Sequence, residues 1–478
     1  MSRTLASLLE DIEAAPSGPQ VAALFDLDRT LINGFSVQDV FLERILNRDM
    51  GAREVGRAVR DVAKYKTGRI PFSEFVANTA KELAGKSDAE SMQFGYEVFA
   101  RRVAQRIYPE SRRLVEAHRA KGHTLVVVSS ATPYQVEPVA QDLGIYHTLC
   151  TRLEVVDGVC TGNVIDPPCY GPGKLSAALE LGAQVGFGLD DAFFYSDGFE
   201  DVPLLESVGN PRTLNPDAKL TRYAQRMSWP ITRFDSRKRP GLEEVMRTSL
   251  AYASMSTAGS LALADFVLNR DIQHARNVAG TVWGELATAA LDLRVDVVGE
   301  DHLWSHRPAV FVFNHQSQLD AIVMARLLRQ DFTGIAKKEA KSQPFVGQML
   351  QAAGVIFIDR ADRNKAISAM RPAVEALKSG TSIVIAPEGT RSPTRALQPF
   401  KKGPFHLAMQ GGVPMVPVVL HNTSDFMPKG TVFAHPGVVE VEVLEPIDTS
   451  GWRRETLNEH VEDVRRRFLA ALGQLDEA

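Results

Sequence analysis

A pair of carboxylates follows an apolar run near the amino terminus of this 478-residue chain. Residues 21–25 read VAALF, and Asp26 and Asp28 come directly after them. Side chains alternate along a strand, so both carboxylates point to the same side and form an oxygen site that suits Mg²⁺. An acidic turn in water has the same spacing, so the pair gains meaning only together with the other motifs.

Further polar residues follow later apolar runs in the same half of the chain. The run TLVVV ends at Ser129 and Ser130, which offer hydroxyl and backbone N–H groups to a phosphoryl oxygen. Lys174 supplies a compact cation for the charge on a phosphoryl group during its transfer. Another apolar run is followed by Asp197 and Asp201. Each residue has an ordinary structural alternative, such as a helix cap, but their order after successive strands argues against coincidence.

In this order the motifs resemble those of the haloacid dehalogenase-like hydrolases of subfamily IB, across roughly residues 20–230. The resemblance implies that Asp26 is a nucleophile that forms an aspartyl-phosphate, and that Asp28 is the general acid and base. It also implies a Mg²⁺ ion that is held by Asp26, Asp28 and Asp197.

The same resemblance assigns supporting roles to the remaining polar side chains. It implies that Ser130 binds the phosphoryl group, that Lys174 steadies it, and that Asp201 supports the metal ligand Asp197. Ser129 remains the alternative to Ser130, because the sequence does not decide which hydroxyl faces the site.

A helical stretch at about residues 36–106 lies where this family carries a cap over the substrate. The phosphoserine phosphatases of the family have a Glu shortly after the first motif, which meets the substrate's ammonium group. This chain has Phe35 at the matching spacing, and an apolar side chain forms no ion pair with an ammonium. A lipid phosphate therefore fits better than phosphoserine.

A second set of chemically capable residues begins after the run PAVFVFN, where His315 and Asp320 lie five positions apart. If the strand turns into a helix there, the carboxylate can orient the imidazole and leave its other nitrogen as a base. For an isolated pair, a purely structural hydrogen bond is the commoner alternative.

Two later apolar runs also end in arginine. GVIFID is followed by Arg360, and the motif PEGTRS contains Glu388, Gly389, Thr390 and Arg391. Gly389 permits close approach of the backbone, and the planar guanidinium of Arg391 suits bidentate contact with a phosphate.

The ordered motifs NHxxxxD, GxIFIDR, PEGTRS and VPxVPV resemble those of the 1-acylglycerol-3-phosphate acyltransferases, across roughly residues 290–450. The resemblance implies that His315 deprotonates the free glycerol hydroxyl, which attacks an acyl thioester, while Asp320 orients His315. The thioester is acyl-coenzyme A or acyl-carrier protein.

The resemblance also implies a site for the acceptor's phosphate. Arg391 holds this phosphate together with Glu388, Gly389 and Thr390, and Arg360 is a second candidate for the same contact.

The alternation of short apolar runs with helical stretches predicts an α/β protein with more than one domain. We expect a Rossmann-like parallel-sheet hydrolase domain at residues 1–235, which includes the cap. A helical segment at 236–293 should join it to a second α/β domain, the acyltransferase, at 294–478.

The helical segment is the expected site of peripheral attachment to the cytoplasmic side of a membrane. Phe266, Val267, Leu268, Ile272 and Trp283 provide apolar anchors, and we expect no helix that spans the bilayer. The alternative is that this face packs on the acyltransferase core or on another subunit. A homo-oligomer is possible but is not readable from the sequence.

The composition excludes collagen-like, disordered and disulfide-stapled proteins. A hydrophobic fraction of 44%, a charged fraction of 23% and only three cysteines are typical of a folded protein without a disulfide framework. The net charge of −4 gives no argument for nucleic acid as a partner.

Together the motifs predict a bifunctional lipid enzyme, in which one half forms phosphatidic acid and the other removes phosphate from a lipid. Two alternatives stay open. The phosphatase acts on a soluble phosphomonoester such as phosphoserine, or one half is a non-catalytic regulatory module. The acyl chain length, the glycerol position and the order of the two reactions are not predicted.

Overall fold

The structure is a computed structural model, which describes residues 3–67, 69–238, 240–342, 346–358 and 370–475. The chain divides into two compact units, Met1–Lys238 and Arg239–Ala478. The division lies three residues from the predicted boundary at residue 235.

The first unit contains a parallel sheet and a separate hairpin among its described residues. Its strands are β1 Ala22–Phe25, β2 Thr124–Val128, β3 His147–Leu149, β4 Leu153–Val156, β5 Val159–Val164, β6 Phe193–Ser196, β7 Asn210–Leu214 and β8 Ile231–Thr232. The sheet has the order β3-β2-β1-β6-β7-β8, and β4 pairs with β5 in an antiparallel hairpin.

Helices connect the strands of the first unit, and several of them lie between β1 and β2, where the cap was expected. The helices are Leu5–Ala14, Ser36–Leu46, Ala52–Lys66, Phe72–Lys81, Asp88–Val98, Pro109–Ala120, Pro133–Asp142, Pro172–Val185, Val202–Ser207 and Ala218–Arg226, with short turns at Phe99–Val103, Ala104–Arg106 and Phe199–Asp201. The hairpin of β4 and β5 packs against the cap helix Phe72–Lys81, where Ala80, Leu153 and Cys160 share one buried cluster.

Both faces of β1 are buried, which explains its continuous apolar sequence. Ala23 and Phe25 belong to one buried cluster, and Ala22 and Leu24 belong to another. Parallel strands that are covered by helices on both sides need apolar residues at every position. The α/β fold that the sequence predicts is therefore confirmed for this unit.

The second unit contains a mixed sheet among its described residues. Its strands are β9 Leu293–Val298, β10 Val310–Phe313, β11 Phe332–Lys337, β12 Ile356–Ile358, β13 Ser382–Ile385, β14 Met415–Leu420 and β15 Gly437–Val443. The order is β12-β11-β13-β10-β14-β15-β9, in which β14 and β15 are antiparallel and the other neighbours are parallel. The second α/β domain is thus also confirmed.

Helices cover this sheet on both faces. They are Leu242–Asn269, Ile272–Ala290, His302–Ser305, Leu319–Leu328, Val346–Ala352, Arg371–Lys378, Gly403–Gly411, Thr423–Phe426 and Leu457–Ala471, with a short turn at Lys338–Ser342. Within the described ranges, none of the helices combines the length and apolar character that crossing a membrane requires.

The helices Leu242–Asn269 and Ile272–Ala290 form a helical hairpin. The side chain of Asp271 caps the second helix by accepting backbone N–H groups at its start. Ala251 and Ala287, one from each helix, are buried in the same cluster as strands of the second sheet. The segment that was predicted as a helical linker therefore packs on the second unit.

Replacing Gly284 by alanine should loosen the contact between the helical hairpin and the helix Leu319–Leu328. A Cβ atom at this glycine would lie 2.6 Å from the backbone nitrogen of Arg326. Overpacking of this kind costs about 1–3 kcal/mol, so we expect a lower thermal midpoint. Gly56→Ala is the matched control, since nothing lies within 4 Å of a methyl group there. An unchanged midpoint for Gly284→Ala would contradict this packing.

Candidate active sites

The first candidate site lies where β1 and β6 end. The backbone N–H of Asp26 donates to the carbonyl oxygen of Tyr195 at 2.9 Å, so the pairing continues past the end of β1. Asp197 follows Tyr195 by two positions, and both Asp26 and Asp197 are 7% exposed. The structure thus brings two of the predicted carboxylates to neighbouring strand ends.

Lys174 lies in the first turn of the helix Pro172–Val185 and is buried between two carboxylates. Its Nζ donates to Asp26 Oδ1 at 2.7 Å and to Asp201 Oδ2 at 2.8 Å. The hydroxyl of Ser196 donates to the same oxygen of Asp201 at 2.6 Å. A buried ammonium needs such partners, because an unpaired charge in the interior is strongly unfavourable.

Asp28 connects the site to the cap. Its Oδ1 accepts the backbone N–H of Ser36 at 2.7 Å, at the start of the first cap helix. The hydroxyl of Ser36 in turn accepts a hydrogen bond from Gln135 at 3.0 Å. Phe35 directly precedes Ser36 in the chain and is 39% exposed, so an apolar residue adjoins the one that binds Asp28.

Burial makes the carboxylates of this site weaker acids than usual. It raises the pKa of Asp26 to about 7, against the attraction of Lys174, and the pKa of Asp28 to about 6. Burial and the charge of Asp26 also raise the pKa of Asp197, while Arg29, which pairs with Asp197 at 3.0 Å, opposes the shift. Crowded, partly uncompensated carboxylates of this kind favour the binding of a cation.

The donor set of Asp26, Asp28 and Asp197 fits Mg²⁺, because carboxylate oxygens are the ligands that this ion prefers. The three carboxylates do not form a ready-made centre, however. Among the described residues, no group of three acidic, imidazole or thiol side chains is arranged to hold a metal ion. Asp197 Oδ2 is engaged by Arg29 instead.

The two candidate serines differ in their surroundings. Ser129 is 1% exposed, and its hydroxyl accepts the backbone N–H of Ala131 at 3.2 Å, which stabilises the turn after β2. Ser130 is half-buried. Ser130 is therefore the more accessible of the two hydroxyls.

The second candidate site begins at the end of β10. His315 Nδ1 lies 2.7 Å from Asp320 Oδ2, and Asp320 is fully buried. The same carboxylate accepts the backbone N–H groups of Gln316 at 2.8 Å and Ser317 at 2.9 Å, and the hydroxyl of Thr423 at 2.5 Å. An ionised carboxylate only accepts hydrogen bonds, so Nδ1 carries the hydrogen and Nε2 is left as a base.

Glu388 holds the histidine loop in place. Its Oε1 accepts the backbone N–H of His315 at 2.6 Å, and its Oε2 accepts that of Gln398 at 3.0 Å. The sequence grouped Glu388 with the phosphate ligands, whereas its contacts in the structure are those of a positioning residue. Burial raises its pKa to about 7, although the two backbone N–H groups act in the opposite direction.

An apolar cavity of about 820 Å³ opens beside His315 in the second unit. The helical hairpin, residues of the sheet and the helices Leu319–Leu328 and Val346–Ala352 line it. Phe266, Ile272 and Trp283, which the sequence suggested as membrane anchors, line this cavity. Leu268, by contrast, is 81% exposed.

Cations gather near the polar part of this cavity. Arg391, Lys337 and Lys429 all line it, and Lys429 Nζ donates to the carbonyl oxygen of Arg391 at 3.0 Å. Burial, together with the charges of Arg391 and Lys337, lowers the pKa of Lys429. Within the described residues, Arg391 Nη1 is buried and has no hydrogen-bond partner. The backbone N–H of Ser392 donates to the carbonyl oxygen of His315 at 2.7 Å, so the loop that carries Arg391 is bonded to the backbone of the histidine.

Gly389 and Thr390 also line the cavity, whereas Arg360 lies outside the described residues and stays an expectation. Sequence reasoning missed Lys337 and Lys429. Lys337 ends β11 at the same sheet edge as the histidine, so strand-end reasoning would have found it. Lys429 lies in a loop without any distinguishing pattern.

Comparison with known proteins matches each unit to a different family. A model for haloacid dehalogenase-like hydrolases matches residues 23–206, and a model for acyltransferases matches residues 294–421. The chain belongs to both families. The hydrolase match includes the motifs around Asp26, Lys174 and Asp197, and the acyltransferase match runs from β9 past Arg391.

Individual relatives support the same division. A 1-acyl-sn-glycerol-3-phosphate acyltransferase of Saccharomyces cerevisiae is 40% identical over 189 residues, which are 39% of this chain and 62% of the relative. The Limnanthes alba enzyme of that name is 34% identical over 197 residues, 41% of this chain and 69% of the relative. A probable phosphatase of Mycobacterium tuberculosis is 30% identical over 266 residues, 51% of this chain and 88% of the relative.

These matches confirm the family resemblances that the motifs predict. The hydrolase domain is of the phosphatase type, and the acyltransferase domain is similar to enzymes that acylate lysophosphatidic acid. The chain spans about three-fifths of the length of the yeast relative.

The raised pKa of Glu388 in the acyltransferase domain predicts that this residue contributes to stability in a pH-dependent way. Its folded pKa of about 7 exceeds the ordinary value of 4.5, so between these values the folded chain binds a proton that the unfolded chain has lost. The free energy of unfolding should therefore fall as pH rises through this window. The Glu388→Gln variant does not bind this proton. Its free energy of unfolding, relative to that of the wild type, should therefore increase with pH.

Denaturant unfolding at several pH values between about 5 and about 8 measures this difference. Glu375→Gln, at an exposed position of the helix Arg371–Lys378, is the control and should run parallel to wild type. A constant difference between Glu388→Gln and wild type would refute the prediction.

Proposed function

We propose that the chain is a bifunctional enzyme of phospholipid synthesis. The acyltransferase unit transfers an acyl group from a thioester to 1-acylglycerol-3-phosphate and forms phosphatidic acid. The hydrolase unit is a Mg²⁺-dependent phosphatase that acts on a lipid phosphate. The observation that carries the proposal is the His315–Asp320 pair, which adjoins both a cation cluster and an apolar cavity.

In the acyl transfer, His315 Nε2 takes the proton of the acceptor's free hydroxyl as the oxygen attacks the thioester carbonyl. Asp320 stabilises the imidazolium that forms, and the imidazolium then returns the proton to the leaving thiolate. Arg391, Lys337 and Lys429 are the proposed partners of the acceptor's phosphate. The apolar cavity accommodates an acyl chain, and the donor is acyl-coenzyme A or acyl-carrier protein.

In the phosphatase reaction, an oxygen of Asp26 attacks the phosphorus atom and forms an aspartyl-phosphate as the alcohol leaves. Asp28 protonates the departing oxygen and then deprotonates the water that hydrolyses the intermediate. Lys174 neutralises part of the charge. Mg²⁺ bound by Asp26, Asp28 and Asp197 would neutralise the phosphoryl oxygens further.

A lipid phosphate is the proposed substrate of this unit because of Phe35. Phe35 directly precedes Ser36, whose backbone N–H binds Asp28, and its side chain provides no charge for an ammonium group. The named relatives of the acyltransferase unit also act on phosphorylated lipids. A soluble phosphomonoester such as phosphoserine is the second candidate.

The enzyme must meet its lipids at a membrane, and we propose peripheral attachment on the cytoplasmic side. The helical hairpin supports this proposal, since Val267 is 54% exposed and Leu268 is 81% exposed. These side chains, rather than Phe266 and Trp283, are free to enter a bilayer.

Replacing His315 by alanine should lower the rate of phosphatidic acid formation by about 10²–10⁴-fold, because the general base is lost. Asp320→Asn should also lower the rate, because an amide does not stabilise the imidazolium. Transfer of a labelled acyl group to lysophosphatidic acid measures both variants. His306→Ala, at an exposed position, is the control. If the activity of His315→Ala were close to that of the wild type, the assignment of His315 as the general base would be wrong.

The proposed covalent intermediate can be trapped. Incubation with phosphatidic acid that carries radioactive phosphate, followed by acid quenching, should label the wild-type protein and the exposed-site control Asp190→Asn. Asp26→Asn should remain unlabelled, because an amide is a poor nucleophile. Labelling of Asp26→Asn would contradict the mechanism. Labelling of the wild type only by phosphoserine would favour the soluble substrate.

A further inference from the structure

Asn33 joins three segments of the hydrolase unit that lie far apart in the chain. Its backbone N–H donates to the carbonyl oxygen of Arg106 at 2.8 Å, and its own carbonyl oxygen accepts the Nε–H of Arg106 at 2.6 Å. In its side chain, Nδ2 donates to the carbonyl oxygen of Arg237 at 2.6 Å, and Oδ1 accepts the hydroxyl of Tyr108 at 3.1 Å. Asn33 therefore binds both the connection that follows the cap and residues 234–237 near the end of the unit, which we name the exit segment.

The loop that contains Asn33 connects Asp28 to the first cap helix. The backbone N–H of Ser36 closes this loop on Asp28 Oδ1 at 2.7 Å. Gly34 in the loop has a φ angle of 92°, and a Cβ atom there would clash with the guanidinium of Arg106, so the loop packs directly on the connection that follows the cap. A displacement of Asn33 would therefore reach the contact between Asp28 and Ser36.

The exit segment is itself held firmly in the unit. Phe234 is buried, and its ring packs edge-on against Tyr108 with 5.3 Å between the ring centroids. The backbone N–H of Phe234 donates to Asn215 Oδ1 at 2.7 Å, and Asn215 Nδ2 donates to the carbonyl oxygen of Arg29 at 2.9 Å. The exit segment thus supports the loop at two points, through Asn215 at Arg29 and directly at Asn33.

Arg237 also bonds the exit segment to the connection that follows the cap. Its Nε donates to the carbonyl oxygen of Ile107 at 3.1 Å, and Ile107 forms an antiparallel bridge with Ile32, the residue before Asn33. The two connections of the cap and the exit segment are therefore joined in one hydrogen-bonded assembly. The exit segment lies outside residues 23–206, which the hydrolase family model matches, so the family does not account for it.

We propose that Asn33 and Arg237 are positioning residues of the phosphatase reaction, and that they act through Asp28. Their contacts hold the loop so that the carboxylate of Asp28 stays aligned for proton transfer to the departing oxygen. The inference rests on the proposed role of Asp28 as the general acid and base. It goes beyond that role, because it assigns part of the support of the active site to the segment that leads out of the hydrolase unit.

The choice of leaving group separates a loss of alignment at Asp28 from a general loss of stability. An alkoxide needs a proton as it departs, whereas p-nitrophenolate is a weak base and leaves without one, so a misplaced general acid slows the release of an alcohol selectively. The ratio kcat/KM is the quantity to compare, because it reports the steps up to alcohol release. A variant that is merely less stable loses both activities by the same factor, because fewer molecules are folded.

The test measures kcat/KM of the full chain with an alkyl phosphate and with p-nitrophenyl phosphate. Phosphatidic acid is the first alkyl phosphate and phosphoserine the second, since both release an alcohol. Asn33→Ala and Arg237→Ala are the test variants, and Asp28→Asn sets the limit for complete loss of the acid. Asn163→Ala, on β5, is the matched control, because it also loses an amide hydrogen bond, to Glu154, but at an exposed position.

We expect Asn33→Ala to lower kcat/KM for the alkyl phosphate by about 10–10²-fold, which is part of the roughly 10²–10⁴-fold that acid–base catalysis contributes. The value for p-nitrophenyl phosphate should stay within about threefold of the wild type, since that leaving group needs no proton. Arg237→Ala should show the same selectivity with a smaller decrease, because the bond from Asn33 to the backbone of Arg237 remains. Asn163→Ala should match the wild type with both substrates.

Equal decreases for the two substrates in Asn33→Ala, or no decrease for either, would overturn the positioning role. If Asp28→Asn also fails to discriminate between the substrates, the proposed role of Asp28 fails with it. If Asp28→Asn discriminates and Asn33→Ala does not, the positioning role alone is wrong. Hydrolysis of phosphoserine but not of phosphatidic acid by the wild type would refute the proposed lipid substrate, and the positioning role is then measured on phosphoserine.

Discussion

The carboxylate of Asp320 is fully buried in the second unit and accepts four hydrogen bonds, from an imidazole, two backbone N–H groups and a hydroxyl. A buried charge without such partners would be strongly unfavourable, so the loop after β10 must turn sharply around it. That turn fixes the ring of His315, which lines the cavity. Glu388 then fixes the backbone of His315 from the other side. The catalytic geometry follows from satisfying buried charges.

The hydrolase unit also contains buried carboxylates, and a buried cation lies between two of them. Lys174 is buried between Asp26 and Asp201, so the proposed nucleophile is held by an ammonium that also neutralises it. Asp28 is bonded to the first cap helix through Ser36, which couples the reacting groups to the segment that covers them. The raised pKa values of these carboxylates show that the protein's own cations compensate them only in part.

Much of this arrangement could be predicted from the sequence, because parallel strands align their carboxyl ends. Asp26 and Asp197 follow buried apolar runs, and the structure places them at neighbouring strand ends. The position of Lys174 could be predicted only through the family resemblance, since it reaches Asp26 across 148 positions of the chain. Helical periodicity indicated an apolar face on the hairpin but left its neighbour open between a membrane and the acyltransferase core, and the structure shows that Phe266 lines a cavity. The position of Lys429 depends on the path of a loop, which no local sequence pattern predicts.

We propose that one chain acylates a lysolipid phosphate and removes phosphate from a lipid. The first experiment is product analysis with Mg²⁺, lysophosphatidic acid and labelled acyl-coenzyme A, with Asp26→Asn and His315→Ala alongside the wild type. We expect dephosphorylated acylated lipid from the wild type, phosphatidic acid alone from Asp26→Asn, and only traces of acylated product from His315→Ala. Identical products from Asp26→Asn and the wild type would contradict the proposal for the hydrolase unit.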